Sequence, residues 1–408
     1  MKLLIVAHYF PLQGPIVFKV RDLLRFLPPL GVDVSVVSRV NISDVLHVKA
    51  VENVGNARIY RSLSLDIRLA EAVIDVFQII STFLLSIAVI VREKVDVVLV
   101  SVPPGVPGIG GFLAGKILGK KVMIDVRDRW EEYAIYDSQF WLVRLTNRFL
   151  KKIFDILLGK ADLVNGVTIS LVKYLKARGA SRVIYLPNGA DVTVFHPIED
   201  EQKQRMRSKF GLPDKDFVLV YAGGIGAYYR PDFVIQCLYQ MLNEDATLGI
   251  RFLIVGGGEQ SKVQDLQALV KELHLEDRVT LLGEQKWTDV AHLLPLCDVG
   301  VVPYDDNPLW TYPQPTKFFE YCASGLPVVA TVAENSDLAT LIGRYNVGYA
   351  VKPLNTSEFI SAVRKLYKLD ENERKEIGAR ARNLVEVSFD KIKIAGRLAE
   401  ALKELCND

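Results

Sequence analysis

Residues 297–332 read CDVGVVPYDDNPLWTYPQPTKFFEYCASGLPVVATV, and the order of patterns within them decides the fold. The runs at 297–303 and 327–332 have the β-branched composition of buried strands. Between them, Thr316 is a suitable N-cap residue, and Gly325 suits the position that follows a helix C-terminus. Two strands joined by a helix predict a βαβ unit, and therefore a parallel sheet.

The same alternation of short apolar runs with longer helical stretches fills the rest of the chain. Apolar strands separated by helices are typical of a parallel sheet covered on both faces. The runs of the first half lie at 2–8, 32–38, 95–101, 121–126, 161–167 and 182–187, and those of the second half at 217–224, 251–258, 278–283, 297–303, 327–332 and 347–351. The pattern predicts an α/β protein with two doubly wound parallel-sheet domains.

The length and composition agree with two domains. The chain has 408 residues, of which 50% are hydrophobic and 24% are charged, which excludes disordered, collagen-like and disulfide-scaffold proteins. We place the first domain at 1–197, the second at 198–385, and a C-terminal helix at 386–408 that returns to the first domain. The net charge is 50 − 48 = +2, and we expect no nucleic-acid partner.

The cysteines and histidines favour neither a disulfide framework nor a metal site. Cys237, Cys297, Cys322 and Cys406 lie among apolar residues and form no C-x-x-C pair, so we predict buried free thiols in a reducing cytoplasm. The five histidines form no H-E-x-x-H motif. Met1–His8 has the pattern of a strand rather than that of a secretory leader.

Two segments are candidates for contact with a membrane. Residues 69–91 are long enough to span a bilayer, but Glu71, Asp75 and Gln78 interrupt their first half, and we predict a buried core helix. Residues 140–160 place Arg144, Arg148, Lys151 and Lys152 at helical spacing among apolar neighbours. This second segment fits either a helix on an anionic membrane or an ordinary surface helix.

The charge distribution favours an anionic partner for the first half. Residues 1–197 carry 25 − 17 = +8, whereas residues 198–408 carry 25 − 31 = −6. A basic half suits a phosphate or a membrane surface.

Open parallel sheets bind their ligands beyond the carboxyl ends of the strands. In the first half, Gly14 precedes a predicted helix whose opening turn could hold an anion, although an ordinary strand–helix turn explains it equally well. Residues 124–132, IDVRDRWEE, place charges of both signs directly after a strand. We expect a functional role for at least one of them, and the alternative is a surface ion-pair network.

The second half carries stronger signals for a phosphate ligand. Gly223, Gly224 and Gly226 follow a strand and allow close backbone approach, and Arg230 adds a fixed charge. The G-x-G at 256–258 is a weak dinucleotide fingerprint, because Ser261 stands where its third glycine would be.

The helix predicted from Thr316 carries two further candidates. Lys317 lies in its first turn, where the helix dipole disfavours a cation unless an anion sits there. Glu320 lies one turn inside, on the same face as Thr316, where a carboxylate can accept two ribose hydroxyls.

These motifs, taken in order, resemble glycosyltransferase family 4. The pieces are PNGAD at 187–191, AGGIG at 222–226, LIVGGGE at 253–259, VTLLGEQ at 279–285, CDVGVVPY at 297–304 and PTKFFEYCASGLPVVAT at 315–331. HYFP at 8–11, G-x-x-x-x-K-x-R at 14–21 and DVRDRW at 125–130 are similar to a branch that builds O-antigen, capsule and exopolysaccharide. The resemblance implies the GT-B architecture, in which two Rossmann-like domains face a central cleft.

The resemblance also implies residue roles on the donor side. Glu320 matches the second glutamate of the family's E-x(7)-E motif, which holds the donor ribose, and Arg230 matches a basic residue on the diphosphate. Tyr312 replaces the first glutamate and Ile225 replaces a second arginine, so Lys317 is our candidate for the missing positive charge.

Further roles follow from the same resemblance. Gly224, Gly226 and Thr316 would help to hold the donor, and Glu284 and Gln285 would face the nucleobase. Arg127 or Asp128 would present a side chain to the reacting sugar. Gly14 and Lys19 would lie on the acceptor side.

The implied activity is a retaining transfer of a sugar from a nucleoside diphosphate to a glycan or a lipid-linked acceptor. It implies no cofactor besides the nucleotide sugar and no required metal. Arg230, Lys317 and the glycine turns would stabilise the charge on the leaving phosphate. We expect a cytoplasmic protein, peripheral on the inner face of the plasma membrane. Two alternatives remain: a nucleotide-sugar epimerase of the same architecture, and a catalytically inactive binding subunit.

Overall fold

The computed structural model describes residues 1–9, 15–65, 71–102, 105–129, 132, 141–210, 212–226 and 228–407. The chain divides into two compact units, the first formed by Met1–Pro187 with Ile392–Asp408 and the second by Asn188–Lys391. The first domain therefore ends before the boundary that we predicted at residue 197. The reason is that Phe195 is fully buried in the core of the second unit, and Ala190 donates a backbone hydrogen bond to Phe389 there.

The first unit is built on an eight-stranded sheet with the strand order β3-β4-β2-β1-β5-β6-β7-β8. Its strands are β1 (Lys2–Tyr9), β2 (Asp33–Asn41), β3 (Val51–Val54), β4 (Ala57–Ser64), β5 (Val97–Val102), β6 (Lys121–Val126), β7 (Leu163–Gly166) and β8 (Val183–Tyr185). Its helices are α1 (Pro15–Phe26), α2 (Glu71–Glu93), α3 (Gly105–Ile117), α4 (Trp141–Lys160), α5 (Ile169–Ala177) and α14 (Lys391–Asn407). The sheet is not purely parallel as predicted, because β3 pairs antiparallel with β4 at one edge.

Helices cover both faces of this first sheet. Residues of α2, α3, α4 and α5 pack into the core on one face, and residues of α1 and α14 pack into the core on the other. Side chains alternate between the two faces along a strand, so Leu4 and Val6 of β1 enter the first core while Leu3 and Ile5 enter the second.

The second unit is built on a six-stranded parallel sheet with the strand order β11-β10-β9-β12-β13-β14. Its strands are β9 (Phe217–Ala222), β10 (Ile250–Val255), β11 (Val279–Gly283), β12 (Val299–Pro303), β13 (Val328–Thr331) and β14 (Gly348–Val351). Its helices are α6 (Asp200–Lys209), α7 (Pro231–Glu244), α8 (Gln260–Glu272), α9 (Trp287–Leu293), α10 (Thr316–Ala323), α11 (Asp337–Tyr345), α12 (Thr356–Lys368) and α13 (Glu371–Leu384).

The order of this second sheet creates a topological switch point. The chain runs from β9 outward to β11, and then returns to place β12 on the other side of β9. The loops after β9 and β12 therefore diverge, which leaves room for a ligand between them at the carboxyl edge of the sheet.

Three local predictions were wrong. Thr316 is the first residue of α10 rather than its N-cap, which is Pro315 and makes no side-chain capping bond. The C-terminal segment is not one helix from 386, because a π-helical turn at Val385–Phe389 and the extended Asp390 precede α14. Cys406 is exposed, whereas the other three free cysteines are buried.

The long apolar helix also differs from the prediction. The span Val73–Glu93 of α2 is long and apolar enough to cross a membrane, yet only 28% of its apolar window is buried. It is therefore not the buried core helix that we expected from residues 69–91.

Candidate functional site

The candidate residues of the second unit collect at its switch point. Loops that begin at Gly223, Gly256, Glu284 and Tyr304 follow the carboxyl ends of β9, β10, β11 and β12. The amino end of α10 lies at this same edge, because α10 connects β12 with β13. This placement agrees with the rule that open α/β sheets bind ligands outside the carboxyl ends of their strands.

Two glycine turns line this edge and are hydrogen-bonded to each other. Gly223 donates to Val255 and Ile225 donates to Gly257, both at 2.8 Å between N and O. A Cβ atom at Gly256 would lie 1.9 Å from the carbonyl oxygen of Gly223, and one at Gly258 would lie 1.8 Å from that of Ile225. Only glycine allows the two turns to pack this closely.

Two other glycines face open space. A Cβ atom at Gly224 would meet its nearest heavy atom at 4.0 Å, and one at Gly226 would have no described atom within 4 Å. The backbone at these positions is therefore accessible to a ligand. The surrounding turn is fixed, because the hydroxyl of Tyr221 donates to the carbonyl of Gly224 at 2.5 Å.

Lys317 is buried against this turn. Its side chain is 7% exposed, and among the described residues its Nζ has no hydrogen-bond partner. The Nζ lies 3.3 Å from the ring centroid of Tyr229 and 4.0 Å from that of Tyr221. A Cβ atom at Gly223 would lie 2.6 Å from it, so the amine points at the glycine turn.

Burial sets the electrostatics of this amine. Desolvation lowers the pKa of Lys317 well below its ordinary value, and the negative charge of Glu320 offsets this only in part. A buried cation without a hydrogen-bond acceptor is unfavourable. The arrangement is suited to an anion that enters the site and supplies the missing acceptor.

Aromatic side chains surround the amine on the side of β12. Tyr229 stacks on Tyr304 with 4.9 Å between ring centroids, and Tyr304 stacks on Trp310 at 5.7 Å. Tyr228, which is 39% exposed, packs on Trp310 at 4.9 Å. Burial raises the pKa of Tyr229 and Tyr304 above the ordinary tyrosine range, so both remain neutral hydroxyls at physiological pH.

Arg230 precedes α7 at its N-cap position. Its Nε donates to both oxygens of Asp232, at 2.9 and 3.0 Å, and its Nη2 donates to Oδ2 at 2.6 Å. This pair raises the pKa of Arg230. The guanidinium is therefore held in a fixed orientation by Asp232, a residue that the sequence reasoning did not single out.

Glu320 is half-buried and contacts an indole. Trp287, the first residue of α9, donates from Nε1 to Oε1 of Glu320 at 3.3 Å. The ring of Trp287 also packs edge-on against Phe195 at 5.2 Å. Trp287 was not predicted from the sequence, although it lies only two residues after Gln285, the last residue that we expected to face the nucleobase.

Glu284 and Gln285, the remaining donor-side predictions, follow β11 at the same edge of the sheet. A Cβ atom at Gly257 would lie 3.5 Å from that of Glu284, so this glutamate flanks the second glycine turn. Gln285 is exposed and donates to the carbonyl of Leu282 at 2.9 Å. Ile225, where the resemblance led us to expect an arginine, is 5% exposed and belongs to the core. Tyr312 caps the short 3-10 turn Pro308–Thr311 and is half-buried.

The charged cluster of the first unit contains a structural network. Arg129 forms an ion pair with Glu132, and its guanidinium lies 4.2 Å from the ring centroid of Tyr174. Glu132 also accepts from Lys151 and from the Tyr174 hydroxyl, both at 2.7 Å. The ion-pair interpretation therefore accounts for Arg129 and Glu132, whereas Trp130 and Glu131 lie outside the described residues.

The two first-unit candidates for the reacting sugar precede this network. Arg127 and Asp128 follow the end of β6, and both are half-buried. Burial lowers the pKa of Arg127, while the nearby carboxylates of Asp125 and Asp128 raise it. Gly14 lies outside the described residues, as does the side chain of Lys19.

A family comparison matches the second unit. Residues 202–384 match the family model described as "Glycosyl transferases group 1". A D-inositol 3-phosphate glycosyltransferase of Stackebrandtia nassauensis is 29% identical over 45% of this chain and 41% of its own length. The chain thus spans less than half the length of that relative. An N-acetyl-alpha-D-glucosaminyl L-malate synthase of Bacillus anthracis is 22% identical over 78% of this chain and 77% of its own length.

Solved structures match the fold over nearly the whole chain. Sucrose-phosphate synthase of Thermosynechococcus elongatus has a TM-score of 0.80 at 17% identity, and the match covers 99% of this chain and 98% of that one. Anabaena HepE in complex with UDP-glucose has a TM-score of 0.73 at 18% identity, and the match covers 99% of this chain and 100% of that one. The predicted fold class, two Rossmann-like domains of the GT-B type, is confirmed.

Proposed function

We propose that the protein transfers a sugar from a nucleoside diphosphate to a glycan or lipid-linked acceptor, because residues 202–384 match the family model of the glycosyl transferases group 1. We further propose that the transfer retains the anomeric configuration, needs no metal, and serves the synthesis of cell-surface polysaccharide or glycoconjugate. HepE binds UDP-glucose in its structure, which supports a nucleotide-sugar donor for this chain.

One observation carries the proposal. Lys317 is a buried amine without a hydrogen-bond acceptor among the described residues, aimed at a glycine turn whose outer face is open. A diphosphate resting on Gly224 and Gly226 would supply that acceptor. Arg230 and Glu320 lie at the same edge of the sheet, where they would contact the diphosphate and the ribose.

The chemistry follows from the charge that develops during transfer. When the bond between the anomeric carbon and the phosphate oxygen breaks, negative charge grows on the leaving diphosphate and positive charge on the sugar. Lys317, Arg230 and the amide groups of the glycine turn are oriented before the reaction, so they stabilise this charge without reorganising. They would act here in place of a metal ion.

Retention follows if the acceptor hydroxyl attacks from the side of the leaving group. The new bond joins the acceptor oxygen to the anomeric carbon, and the hydroxyl proton passes to an oxygen of the released diphosphate. This route needs no pair of catalytic carboxylates, unlike glycoside hydrolysis. In the first unit, Arg127 and Asp128 are our candidates for contact with the reacting sugar, and Gly14 and Lys19 for contact with the acceptor.

Helix α4 supports a lipid-linked acceptor. Arg148 and Lys152 are exposed on it beside Leu145 and Phe149, which are 57% and 63% exposed. Cations next to apolar side chains suit an anionic membrane surface. We therefore propose a cytoplasmic protein, peripheral on the inner face of the plasma membrane, and the buried free cysteines fit a reducing compartment.

The test is turnover of a panel of UDP-, GDP- and ADP-sugars, with and without lipid extract. We expect one donor to be consumed, and we expect the activity to fall at least about a hundredfold in Arg230→Ala and Glu320→Gln. Glu272→Gln on α8 is the matched control, because it removes an exposed carboxylate at the far end of a helix in the same unit.

Three other outcomes have distinct meanings. Conversion of the donor to an isomer, with no transfer, would identify an epimerase. Donor binding without turnover in the presence of lipid extract would favour an inactive binding subunit, in line with the replacements at Ile225 and Tyr312. Equal activity of Glu320→Gln and Glu272→Gln would refute the assigned site.

A further inference from the structure

Helix α2 turns a row of polar residues into the protein and a row of apolar residues outward, while Val89 and Ile90 near its end are buried in the core of the first unit. Gln78, Thr82 and Ser86 recur at every fourth position, and each is at most 2% exposed. An amphipathic helix of a soluble domain has the opposite arrangement, with its apolar stripe facing the core. The buried polar side chains therefore require hydrogen-bond partners within the protein. The exposure of the apolar side chains requires a separate explanation.

The inward face is held in place by specific contacts. Gln78 donates to Ser62 of β4 at 3.2 Å and to Thr82 at 2.9 Å, and Ser81 accepts from the backbone N–H of Leu63 at 2.8 Å. A Cβ atom at Gly110 of α3 would lie 2.5 Å from the carbonyl of Ile79. These contacts fix α2 on the first unit and determine which face points outward.

The outward face is continuously aliphatic. Between residues 73 and 91, every exposed residue of α2 is apolar; we name these residues the outer stripe, and they are Val73, Val76, Ile80, Leu84, Ala88 and Val91. Their exposed fractions reach 60% at Leu84 and 65% at Val91. At about 1.5 Å per residue, the stripe is roughly 27 Å long.

Neighbouring helices extend this surface. Helix α3 contacts both α2 and α4, and it exposes Leu113 and Ile117, one turn apart, at 39% and 66%. Helix α4 exposes Ile156 at 58% in addition to the two side chains already described. An exposed apolar surface of this extent marks an interaction site.

The composition and the charges identify the occupant. Protein interfaces are enriched in tyrosine, tryptophan, methionine and arginine, whereas the outer stripe holds only aliphatic side chains. Exposed cations follow the stripe at the end of α2, Arg92 and Lys94, and others lie on α4, Arg148 and Lys152. Such cations complement anionic lipid headgroups. We propose that the outer stripe lies in the hydrocarbon boundary of a lipid bilayer, with α2 parallel to its surface.

The helix lies on the bilayer rather than across it. Crossing would separate Ser62 from Gln78 and from Thr82, which donates to Ser62 at 3.3 Å. Unpaired polar groups in hydrocarbon are costly. This contact differs in kind from the one proposed for α4, because an aliphatic stripe binds without salt dependence whereas the cations of α4 are screened by salt. It requires no assumption about the reaction.

The first experiment is flotation of the full chain with vesicles of phosphatidylcholine containing about one third phosphatidylglycerol, at low and high salt. We expect part of the binding to survive high salt, and the double substitution Ile80→Gln with Leu84→Gln to weaken that part about tenfold or more. Leu46→Gln is the matched control, because Leu46 is 92% exposed in the same unit and does not belong to the outer stripe. Arg148→Gln with Lys152→Gln should reduce only the salt-sensitive part.

The second experiment does not depend on a polar substitution being tolerated. Cys406 is the one exposed cysteine of the four, so a Cys406→Ser background allows a single environment-sensitive label at Leu84→Cys or at Leu46→Cys. With the same vesicles, we expect the emission of a label at position 84 to shift to the blue and to be quenched by spin labels on the acyl chains. We expect neither change for a label at position 46.

Two results would overturn the proposal. One is that no flotation survives high salt and that vesicles do not change the emission of the label at position 84. The other is a dimer in sedimentation equilibrium that the Ile80→Gln/Leu84→Gln variant dissociates while vesicles leave the label unchanged, because a second copy of the chain would then cover the outer stripe.

Discussion

The Nζ of Lys317 lies 3.3 Å from the ring centroid of Tyr229, and among the described residues it has no hydrogen-bond acceptor. The cation–π contact compensates for only part of the lost hydration. The free protein therefore carries an unfavourable group at the place where the proposed diphosphate binds. Such a group lowers the free energy of unfolding of the free protein and raises its affinity for an anion. These two quantities can be measured separately.

Lys317→Met should stabilise the free protein and abolish tight donor binding. Methionine has a similar volume and no charge to desolvate, so we expect the free energy of unfolding to rise by about 1–3 kcal/mol in urea titrations. Lys262→Met on the exposed surface of α8 is the control and should change it by less than about 0.5 kcal/mol. A destabilised Lys317→Met variant would mean that the amine has an acceptor in solution.

The same pair of proteins predicts a pH dependence. The pKa of Lys317 is lowered by burial in the folded state, so between that value and 10.5 the unfolded chain binds more protons than the folded one. The free energy of unfolding contributed by this group therefore rises with pH across that window. The advantage of Lys317→Met over the wild type should shrink as pH approaches 10.5, and an advantage that grows with pH would contradict this sign.

The glycine turns predict two opposite phenotypes for the same substitution. Gly258→Ala should destabilise the protein by about 3 kcal/mol or more, because its Cβ would overlap the Ile225 carbonyl. Gly224→Ala and Gly226→Ala should leave the thermal midpoint nearly unchanged but weaken donor binding at least about tenfold, because their methyl groups occupy the open face. Unchanged donor affinity in both of these variants would place the phosphates elsewhere.

The ion pair between Arg230 and Asp232 predicts that a second substitution at Asp232 partly restores the activity lost in Arg230→Ala. Arg230→Ala removes a cation and also leaves the Asp232 carboxylate uncompensated next to the proposed diphosphate. We expect the loss of kcat/KM in Arg230→Ala to be about a hundredfold and to be recovered in part, roughly three- to tenfold, when Asp232→Asn is added. A double variant as poor as Arg230→Ala would show that Asp232 only orients the guanidinium.

Trp287 offers an optical readout of the ribose site. Its indole donates to Glu320 at 3.3 Å, so a ribose that bonds to Glu320 must change the environment of the indole. We expect the addition of the correct nucleotide to change the intrinsic fluorescence, and we expect Trp287→Phe to remove that change and weaken binding about two- to tenfold. Trp310→Phe is the control; loss of the signal in this variant instead would move the nucleotide toward the tyrosine stack.

The sequence was sufficient to predict the buried strands, because apolar composition alone identifies them. Buried parallel strands are continuously apolar, so the twelve apolar runs were found as strands. By contrast, β3 and β4 were missed. In β4, Ser62 and Ser64 are buried and break the apolar pattern, and Ser62 contacts Gln78 on the polar face of α2. The same tertiary contact explains why α2 is not a buried core helix.

The candidate site was predictable by position but not by geometry. The glycine turns, Lys317 and Glu320 follow strand ends, and topology brings strand ends together. The stack of Tyr229 on Tyr304 joins residues 75 apart, and no local pattern encodes such a pair. Asp232 was overlooked for a different reason: an acid in the first turn of a helix ordinarily serves the helix dipole, and its bond to Arg230 is visible only in three dimensions.

We propose that a nucleoside diphosphate binds at the switch point of the second sheet. Isothermal titration of the wild type with UDP, GDP and ADP tests it most directly, with Lys317→Met and Glu320→Gln compared against Lys262→Met and Glu272→Gln. We expect saturable binding of one of the three nucleotides, weakened at least about tenfold in the first two variants and unchanged in the other two. Binding of equal strength in all four variants, or of none of the three nucleotides, would contradict it.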